Sequence, residues 1–220
     1  MDVGRAAELP PHVLAAGGGP VAASAATAHG TLGAVEAVLE AELKDATPGR
    51  ALVHGCGAVG GTVARTLVEH GWTVFTVDLS RERAGFPGAT PLPQGCPWWE
   101  LKLDLLLPCS ISGLINAEMA SALRVTSVVP AANAPFQSPQ LADALRQRGI
   151  RVLPDPLVNA GAVIADSIER FSPDAWKDAG AKDVYAFVRE EVRRRATDYL
   201  NQRDQGLSVG AALNEVAAAP

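Results

Sequence analysis

Residues 51–78 read ALVHGCGAVGGTVARTLVEHGWTVFTVD, and this stretch decides the fold class. It begins with the short apolar run ALVH, passes through a glycine cluster and continues as TVARTLVEH, which has apolar residues at helical spacing. Gly71 separates this segment from WTVFTVD, which has the alternation and β-branched content of a strand. The stretch therefore predicts a strand–helix–strand unit, and its two strands run parallel because a helix joins them.

The rest of the chain continues the alternation of strands and helices. A long helix is predicted over residues 21–43, weakened by Gly30 and Gly33 because glycine is a poor helix former. Residues 81–100 hold several prolines and glycines and show no helical pattern. Three more strands are predicted in LDLLLPC, VTSVVPA and IRVLPD, and helices near Asn116 and in SPQLADALRQRG, NAGAVIADSIERF, VYAFVREEVRRRATDYLNQRD and GLSVGAALNEVAAA. This order predicts an α/β protein with a Rossmann-type doubly wound, mostly parallel sheet and flanking N- and C-terminal helices.

Three glycines form the pattern G-x-G-x-x-G between the first predicted strand and its helix. The pattern alone is weak, but a strand before it, a helix after it and an acid at the end of the next strand are typical of a dinucleotide-binding turn. The first glycine permits a tight bend, the second lets a diphosphate approach the backbone, and the third allows close helix–strand packing. A glycine turn that merely joins strand to helix is the alternative. The expected cofactor contacts in this turn are Gly55, Cys56, Gly57, Ala58, Val59 and Gly60.

An acidic residue stands at the end of the second predicted strand. Asp78 lies eighteen positions after Gly60, where a carboxylate can accept hydrogen bonds from the hydroxyls of the adenosine ribose. It would repel a 2′-phosphate, so NAD is favoured over NADP as the cofactor, with Leu79 as a neighbouring contact. Arg81 and Arg83 follow closely and could pair with a phosphate, which moderates this preference.

Composition restricts the class of protein. The chain has 220 residues, 48% of them hydrophobic, and a formal net charge of −5, so it can bury a core and is not disordered as a whole. Its pI of about 5.4 gives no general attraction for nucleic acid, and no apolar run approaches the roughly 18 residues of a membrane span. We expect no nucleic-acid or membrane partner, no signal peptide and no metal. Three cysteines without metal-ligand spacing favour the cytoplasm. We expect a loose leader over residues 1–20 and a single dinucleotide-binding domain over 21–220.

Four short segments carry motifs at the spacing of one enzyme family. They are SAATAHG (24–30), LLPCSISGLIN (106–116), VVPAANAPF (128–136) and VLPDPLVNAGAV (152–163). With Asp104 and Leu105 before the second segment, they resemble the family motifs Ser-Pro-x-Thr-Ala-x-Gly, Asp-Ile-Phe-x-Pro-Cys-Ala, Gly-Ala-Ala-Asn and Pro-Asp-x-x-x-Asn-Ala-Gly-Gly. From about residue 22 onward the chain is thus similar to the glutamate/leucine/phenylalanine/valine dehydrogenases, most of all to leucine and phenylalanine dehydrogenases.

The resemblance implies a domain that holds NAD with its nicotinamide at the carboxyl ends of the strands. Thr27 and Asn133 would lie near the nicotinamide, and Asn159 at its junction with the substrate. Cys109 and Ser110 would lie near a ribose of the cofactor. Two alternatives stay open, because Cys109 can be a small packing residue and Asn159 can be only a helix N-cap. The implied contacts in these segments are Thr27, Cys109, Ser110, Ala132, Asn133 and Asn159.

The family's reaction is the reversible oxidative deamination of an α-amino acid, in which a lysine in a Gly-Gly-x-Lys segment activates water. None of this chain's lysines stands in such a segment, so the resemblance implies that the N-terminal substrate domain is largely absent. The remaining acid–base candidates are Asp2, in an Asp-Val-Gly like the family's, and three residues near the rim, His29 beside Thr27, His54 and Asp155. A solvent-exposed role for His29 and a simple strand end for His54 are the plainer interpretations. The chain's lysines are Lys44, Lys102, Lys177 and Lys182.

Two functions fit these observations. The first is an NAD-dependent oxidoreductase that transfers hydride at the C–N centre of a small-molecule amino acid or imine. The alternative is a non-catalytic NAD-binding module, or a regulatory or partner subunit that has lost this activity. A homo-oligomer is expected because an open rim and the Trp98–Trp99 pair would expose apolar area, and a partner subunit could complete the site. Packing is the simpler role for the two tryptophans, and the successive Arg193–Arg195 are expected to be solvated.

Overall fold

The computed structural model describes residues 21–42 and 48–204, and their centre is a six-stranded sheet. The strands are β1 (Arg50–His54), β2 (Thr73–Val77), β3 (Ala89–Pro91), β4 (Lys102–Pro108), β5 (Arg124–Val128) and β6 (Arg151–Val152). They lie in the order β3-β2-β1-β4-β5-β6, and every neighbouring pair is parallel. The chain winds outward from β1 in one direction, then returns and winds outward in the other. The predicted doubly wound α/β fold is confirmed.

Helices connect the strands and cover both faces of the sheet. The described helices are α1 (Ala23–Glu42), α2 (Ala58–Glu69), α3 (Arg81–Ala84), α4 (Ala117–Ala122), α5 (Pro139–Gln147), α6 (Asp155–Val158), α7 (Gly161–Phe171), α8 (Pro173–Asp178) and α9 (Ala181–Asp204), with a 3₁₀ turn at Trp98–Glu100. None of the described helices is long and apolar enough to cross a membrane. The predicted leader over residues 1–20 and the last predicted helix, in GLSVGAALNEVAAA, lie outside the described residues.

One strand lies in a stretch that the sequence indicates only as rich in proline and glycine. Within residues 81–100, β3 pairs with β2 from Ala89 to Pro91. It has three residues, too few to show an alternating pattern, and it lies at the sheet edge, where a proline is tolerated. The five strands predicted from the sequence are therefore one fewer than the sheet contains. The same stretch also begins with α3, which the periodicity did not indicate because the helix is only four residues long.

The two faces of β1 separate two hydrophobic clusters. Val53 belongs to the cluster formed with α1, α2 and α9, whereas Leu52 belongs to the cluster formed with α4, α5 and Trp98. This separation follows from the strand period of two. Trp98 is 4% exposed and packs in the second cluster, which confirms packing as its role.

The two glycines of α1 allow backbones to approach closely. A methyl group at Gly33 would lie 2.1 Å from the Arg189 carbonyl oxygen of α9, and one at Gly30 would lie 3.2 Å from the Gly161 Cα of α7. The sequence indicates these glycines as weak points of the helix. In the fold they are the positions where α1 meets α7 and α9, so their poor helix propensity is offset by packing.

The arginines of α9 are paired rather than freely solvated, which corrects the expectation for residues 193–195. Arg193 bridges to Glu40 of α1 at 2.9 Å and to Glu190 on its own helix. Arg194 and Arg195 pair with Glu191, and each of the three arginine side chains is 30–41% exposed. Sequence spacing along α9 could not reveal Glu40, since that carboxylate comes from another helix. The Arg193–Glu40 ion pair is thus a second contact between α1 and α9, besides the close packing at Gly33.

We expect Gly33→Ala to lower the free energy of unfolding by about 2 to 3 kcal/mol, because the added methyl group must displace the α9 backbone. Helix propensity alone predicts the opposite sign, a gain of about 1 kcal/mol. Urea denaturation followed by circular dichroism distinguishes the two. Glu40→Gln is the control and should cost less than about 1 kcal/mol, since it removes only an exposed ion pair. A stabilised Gly33→Ala variant would contradict the close approach.

Candidate functional site

A cleft of about 630 Å³ opens at the carboxyl ends of β1, β2 and β4. This is the edge where open parallel sheets bind ligands, next to the point at which the strand order reverses. The loop after β1 forms one side, and residues 93–99 form the opposite wall. The lining residues are His54, Gly55, Gly57, Val77, Asp78, Leu79, Arg83, Pro93, Gln94, Gly95, Cys96, Trp98, Trp99, Cys109, Ser110 and Ile111.

The three motif glycines play different parts in the turn between β1 and α2. Gly55 has φ +94°, and a methyl group there would lie 2.7 Å from the Ser110 Cα. A methyl group at Gly60 would lie 1.9 Å from the Gly55 carbonyl oxygen. Both positions thus need glycine for the fold itself. A methyl group at Gly57 would have no atom within 4 Å, and its φ of −71° suits any residue, so the fold does not require glycine there.

The N-terminus of α2 faces the cleft through Gly57. The 12-residue helix has no side-chain cap at that position and no acidic residue in its first turn. The first N–H groups of a helix have no partner within the helix, and its dipole places partial positive charge there. The backbone at Ala58 and Val59 therefore offers donors to an anion, and the missing side chain at Gly57 leaves room for it.

Asp78 follows β2 directly and is held by the glycine turn. Its carboxylate accepts the Cys56 N–H at 2.7 Å and the Ser80 N–H at 2.8 Å, and the Arg83 guanidinium lies 3.5 Å away. Burial raises the pKa of this carboxyl, but the two N–H bonds, Arg83 and His54 outweigh burial and hold the pKa below its usual value. Asp78 is therefore ionised at neutral pH, in a fixed orientation beside the cleft.

The two cysteines near the turn are protonated packing residues. Burial raises the pKa of Cys56 to about 11 and that of Cys109 to about 12. The Cys56 N–H is used by Asp78, so this residue orients the carboxylate. Cys109 lies behind Gly60 and packs against the first hydrophobic cluster, which favours its packing alternative.

His54 and Ser110 form a polar pair within the cleft. His54 is the last residue of β1, as its plainer interpretation predicted, and its Nδ1 lies 2.8 Å from the Ser110 Oγ. Its ring meets Trp98 edge-on, with centroids 5.3 Å apart. Burial lowers the pKa of His54 more than its own backbone and Asp78 raise it. The imidazole is therefore neutral at pH 7.

Two large apolar side chains stand unusually exposed at the cleft. Leu79, after β2, is 89% exposed, and Ile111, after β4, is 63% exposed. Exposed apolar side chains that border a cleft are typical of a surface that binds a ligand or a partner. The sequence predicts a contact at Leu79 and includes Ile111 in the segment 106–116, but it gives Ile111 no role and marks no site at residues 93–99. The aromatic pair at Trp98–Trp99 was the signal that could have indicated this wall.

A second polar group lies at the ends of β5 and β6. The Asn159 amide donates to Asn133 Oδ1 at 2.7 Å and to the Ala131 carbonyl at 3.3 Å. Asn159 stands at the C-terminal end of α6, and no side chain caps the start of α7, so it is not merely an N-cap. The next residue after Asn133 is Ala134, which has φ +43° and donates its N–H to Asp155 at 2.8 Å. Ala132, which the sequence also indicates as a contact, is largely buried, with 9% of its surface exposed.

The packing of α1 against α7 brings Thr27 close to the segment that follows Asn159. A methyl group at Gly161 would lie 2.9 Å from the Thr27 Cα, and Gly161 comes two residues after Asn159. The Thr27 hydroxyl donates to the Ala23 carbonyl of its own helix at 3.0 Å. Residues from α1, from the loop after β5 and from the start of α7 thus gather at one end of the rim.

His29 is placed against a helix. Its ring stacks on Tyr185 of α9 with centroids 4.9 Å apart, and its Nδ1 is buried without a hydrogen-bond partner. Burial, helped by Arg189, lowers its pKa. His29 is therefore partly buried rather than solvent-exposed, and it does not line the cleft. Asp2, another acid–base candidate, lies outside the described residues.

Sequence comparison relates the chain to amino acid dehydrogenases. The family model for glutamate/leucine/phenylalanine/valine dehydrogenase matches residues 80–219. Phenylalanine dehydrogenase of Lysinibacillus sphaericus is 27% identical over 192 residues, which cover 82% of this chain and 50% of that protein. Phenylalanine dehydrogenase of Caldalkalibacillus thermarum (strain TA2.A1) is 31% identical over 130 residues, 56% of this chain and 35% of that protein. The chain spans half or less of the length of these relatives.

Solved structures agree in fold. L-tryptophan dehydrogenase from Nostoc punctiforme superposes with a TM-score of 0.76 at 23% identity, over 88% of this chain and 59% of that one. Hetero-hexameric glutamate dehydrogenase from Thermus thermophilus, in its Leu-bound form, gives a TM-score of 0.71 at 21% identity, over 88% and 51%. At these identities the likeness establishes the fold alone.

Substitutions at two glycines of the turn should have contrasting effects on the free energy of unfolding. Gly60→Ala should lower the free energy of unfolding by about 2 to 3 kcal/mol, because the methyl group would overlap the Gly55 carbonyl. Gly57→Ala should change it by less than about 0.5 kcal/mol, since nothing lies near the added group. Chemical denaturation of both variants tests this, and equal losses would show that Gly57 is also needed for the fold.

Proposed function

The chain belongs to the glutamate/leucine/phenylalanine/valine dehydrogenase family, and we propose that it binds NAD in the cleft and serves hydride transfer at the C–N centre of an amino acid or imine. The observation that supports NAD binding is the open space beside Gly57. The fold does not need glycine there, yet its open side lies at the uncapped N-terminus of α2. A diphosphate fits that position, because a side chain would obstruct it and the N–H groups of the helix can hold it.

Asp78 is proposed to hold the adenosine ribose. A carboxylate has about four lone-pair sites, and the N–H groups of Cys56 and Ser80 occupy two, which leaves acceptors for ribose hydroxyls. The fixed negative charge would repel the 2′-phosphate of NADP, so NAD is the cofactor we propose. Arg83, 60% exposed and 3.5 Å from this carboxylate, moderates the repulsion.

The apolar walls fit the adenine base. Leu79 and Ile111 border the cleft from the ends of β2 and β4, and Trp99 lines the same wall as Trp98. Covering these exposed side chains with a flat purine would remove apolar area from water, at roughly 25 cal/mol for each Å² buried. The adenosine end would thus bind through apolar contact, and Asp78 would fix its orientation.

The other end of the rim is proposed to receive the nicotinamide. Nicotinamide supplies the hydride acceptor when NAD is bound. Asn133 and Asn159, locked together at 2.7 Å, present amide groups there, and Thr27 approaches from α1. Asp155 is engaged with the Ala134 N–H, so it holds the loop in place. The rigid pair would orient the ring and the substrate beside it.

The acid–base group for the reaction is proposed to come from outside the described residues. Among the lysines that the structure describes, Lys102 begins β4 at the edge opposite the cleft, Lys177 pairs with Asp174 at 3.6 Å, and Lys182 is exposed on α9. None of the three borders the cleft. This placement also favours the second candidate function, an NAD-binding module or subunit without turnover of its own.

Assembly of several copies is part of the proposal. The glutamate dehydrogenase from Thermus thermophilus is described as hetero-hexameric. In this chain Val163 and Phe171 on α7 and Phe187 on α9 are 54–73% exposed, which is apolar area that a partner could cover. All three cysteines are free thiols, as fits the cytoplasmic location that we propose.

Asp78→Asn should weaken NAD binding about tenfold and raise the affinity for NADP relative to NAD, because it removes a charged acceptor of ribose and the repulsion of the 2′-phosphate. Cys56 and Ser80 bond different oxygens of Asp78, and asparagine keeps only one acceptor oxygen, so chemical denaturation of the variant must show that the turn stays folded. Calorimetric titration with both cofactors measures the ratio. If the two affinities fall equally, Asp78 does not hold the ribose.

Purified protein, NAD and a panel of amino acids, apolar and aromatic side chains first, should give a rise in absorbance of reduced cofactor at 340 nm. Gly57→Ala is the matched control, since it should fold normally but bind NAD at least about tenfold more weakly. Silence across the panel with NAD binding intact would favour the non-catalytic module. Absence of NAD binding would exclude both candidate functions.

A further inference from the structure

His54 is a titratable residue on the floor of the cleft, and the contacts proposed for NAD do not use it. It ends β1 with its Nδ1 2.8 Å from the Ser110 Oγ and its ring against Trp98. Ser110 itself is exposed and lines the cleft. The pair therefore lines the same cleft as Leu79 and Ile111, where the adenosine end is placed.

The other charged and titratable groups come from each element around the cleft. Asp78 follows β2, Arg83 belongs to α3, Cys96 precedes the 3₁₀ turn and Cys109 follows β4. Among them, Asp78 attracts a proton to His54, and Arg83 already partly neutralises that carboxylate. The remaining walls are largely apolar, through Val77, Leu79, Pro93, Trp98, Trp99 and Ile111.

The tautomer and the charge of His54 together decide which way the Ser110 hydroxyl points. When Nδ1 carries no proton, Ser110 donates to it and keeps its lone pairs for the cleft. When the ring is an imidazolium, Nδ1–H donates and the Ser110 proton turns outward. A ligand lying over the ring removes more water from it, and burying a charge against apolar walls is costly.

We infer that the His54–Ser110 pair positions the adenosine end of the dinucleotide and that the cleft takes NAD with His54 neutral. This inference rests on the proposed binding of NAD in the cleft. By linkage, a ligand that prefers the unprotonated form displaces a proton when it binds below the pKa of free His54. NAD affinity then falls as the pH falls through that range, by up to about tenfold for each pH unit.

The test is a calorimetric titration of the full chain with NAD at pH values from about 5 to 8, in two buffers of different ionisation enthalpy. We expect weaker binding at acid pH together with proton release into the buffer. His54→Gln keeps a polar partner for Ser110 but cannot titrate, so its affinity should stay constant to within about twofold over this range. His70→Gln is the matched control, because His70 is an exposed residue after α2, bonded to the Thr66 carbonyl, and should leave the pH profile unchanged.

Two results would overturn the inference while leaving NAD binding intact. One is tighter NAD binding at acid pH with proton uptake, which would mean that the diphosphate attracts an imidazolium. The other is an unchanged pH slope in His54→Gln. Absence of saturable NAD binding by the wild-type chain at every pH would overturn the proposed function and this inference together. If His54→Gln fails to fold, NMR titration of the wild-type histidine rings decides, since the pKa of His54 must fall when NAD is added.

Discussion

The close approach of the turn after β1 to the loop after β4 governs the whole cleft. The Gly55 N–H donates to the Val77 carbonyl at 2.7 Å, and the Cys109 N–H donates to the His54 carbonyl at 2.7 Å. These bonds hold three strand ends together, and they are possible only because the turn has no side chains at Gly55 and Gly60. The N-terminus of α2 consequently lies directly at the sheet edge, where its free N–H groups face the cleft.

The shape of the glycine turn also determines where the polar groups of the cleft lie. The turn exposes the Cys56 N–H to Asp78, so the carboxylate is ordered before any ligand arrives. The first turn of α2 carries no acid of its own, whereas the Asp78 carboxylate reaches the turn from the end of β2. Such an arrangement suits a ligand that combines an anionic diphosphate with neutral hydroxyls.

The end of the rim near Asn159 depends on a different contact, the crossing of α1 with α7 and α9. Gly30 and Gly33 let three helix backbones meet, and this crossing carries Thr27 to the start of α7. The sequence presents these glycines only as poor helix formers, because propensity is local and the partner backbones are more than a hundred residues away. A comparable separation in sequence is the reason that the ion pair of Glu40 with Arg193 could not be predicted.

The sequence by itself determined the α/β class with a doubly wound, mostly parallel sheet, five of its strands and the glycine turn with its acid, because hydrophobic period and turn chemistry are local properties. It could not show β3, which is too short for a period, or residues 93–99 and Ile111 as walls of the cleft, because no spacing rule links them. Only the tertiary structure decided which glycines of the turn the fold itself requires, that His29 stacks on Tyr185 and that His54 meets Ser110. Those facts depend on which backbones and side chains lie side by side, and folding alone brings them together.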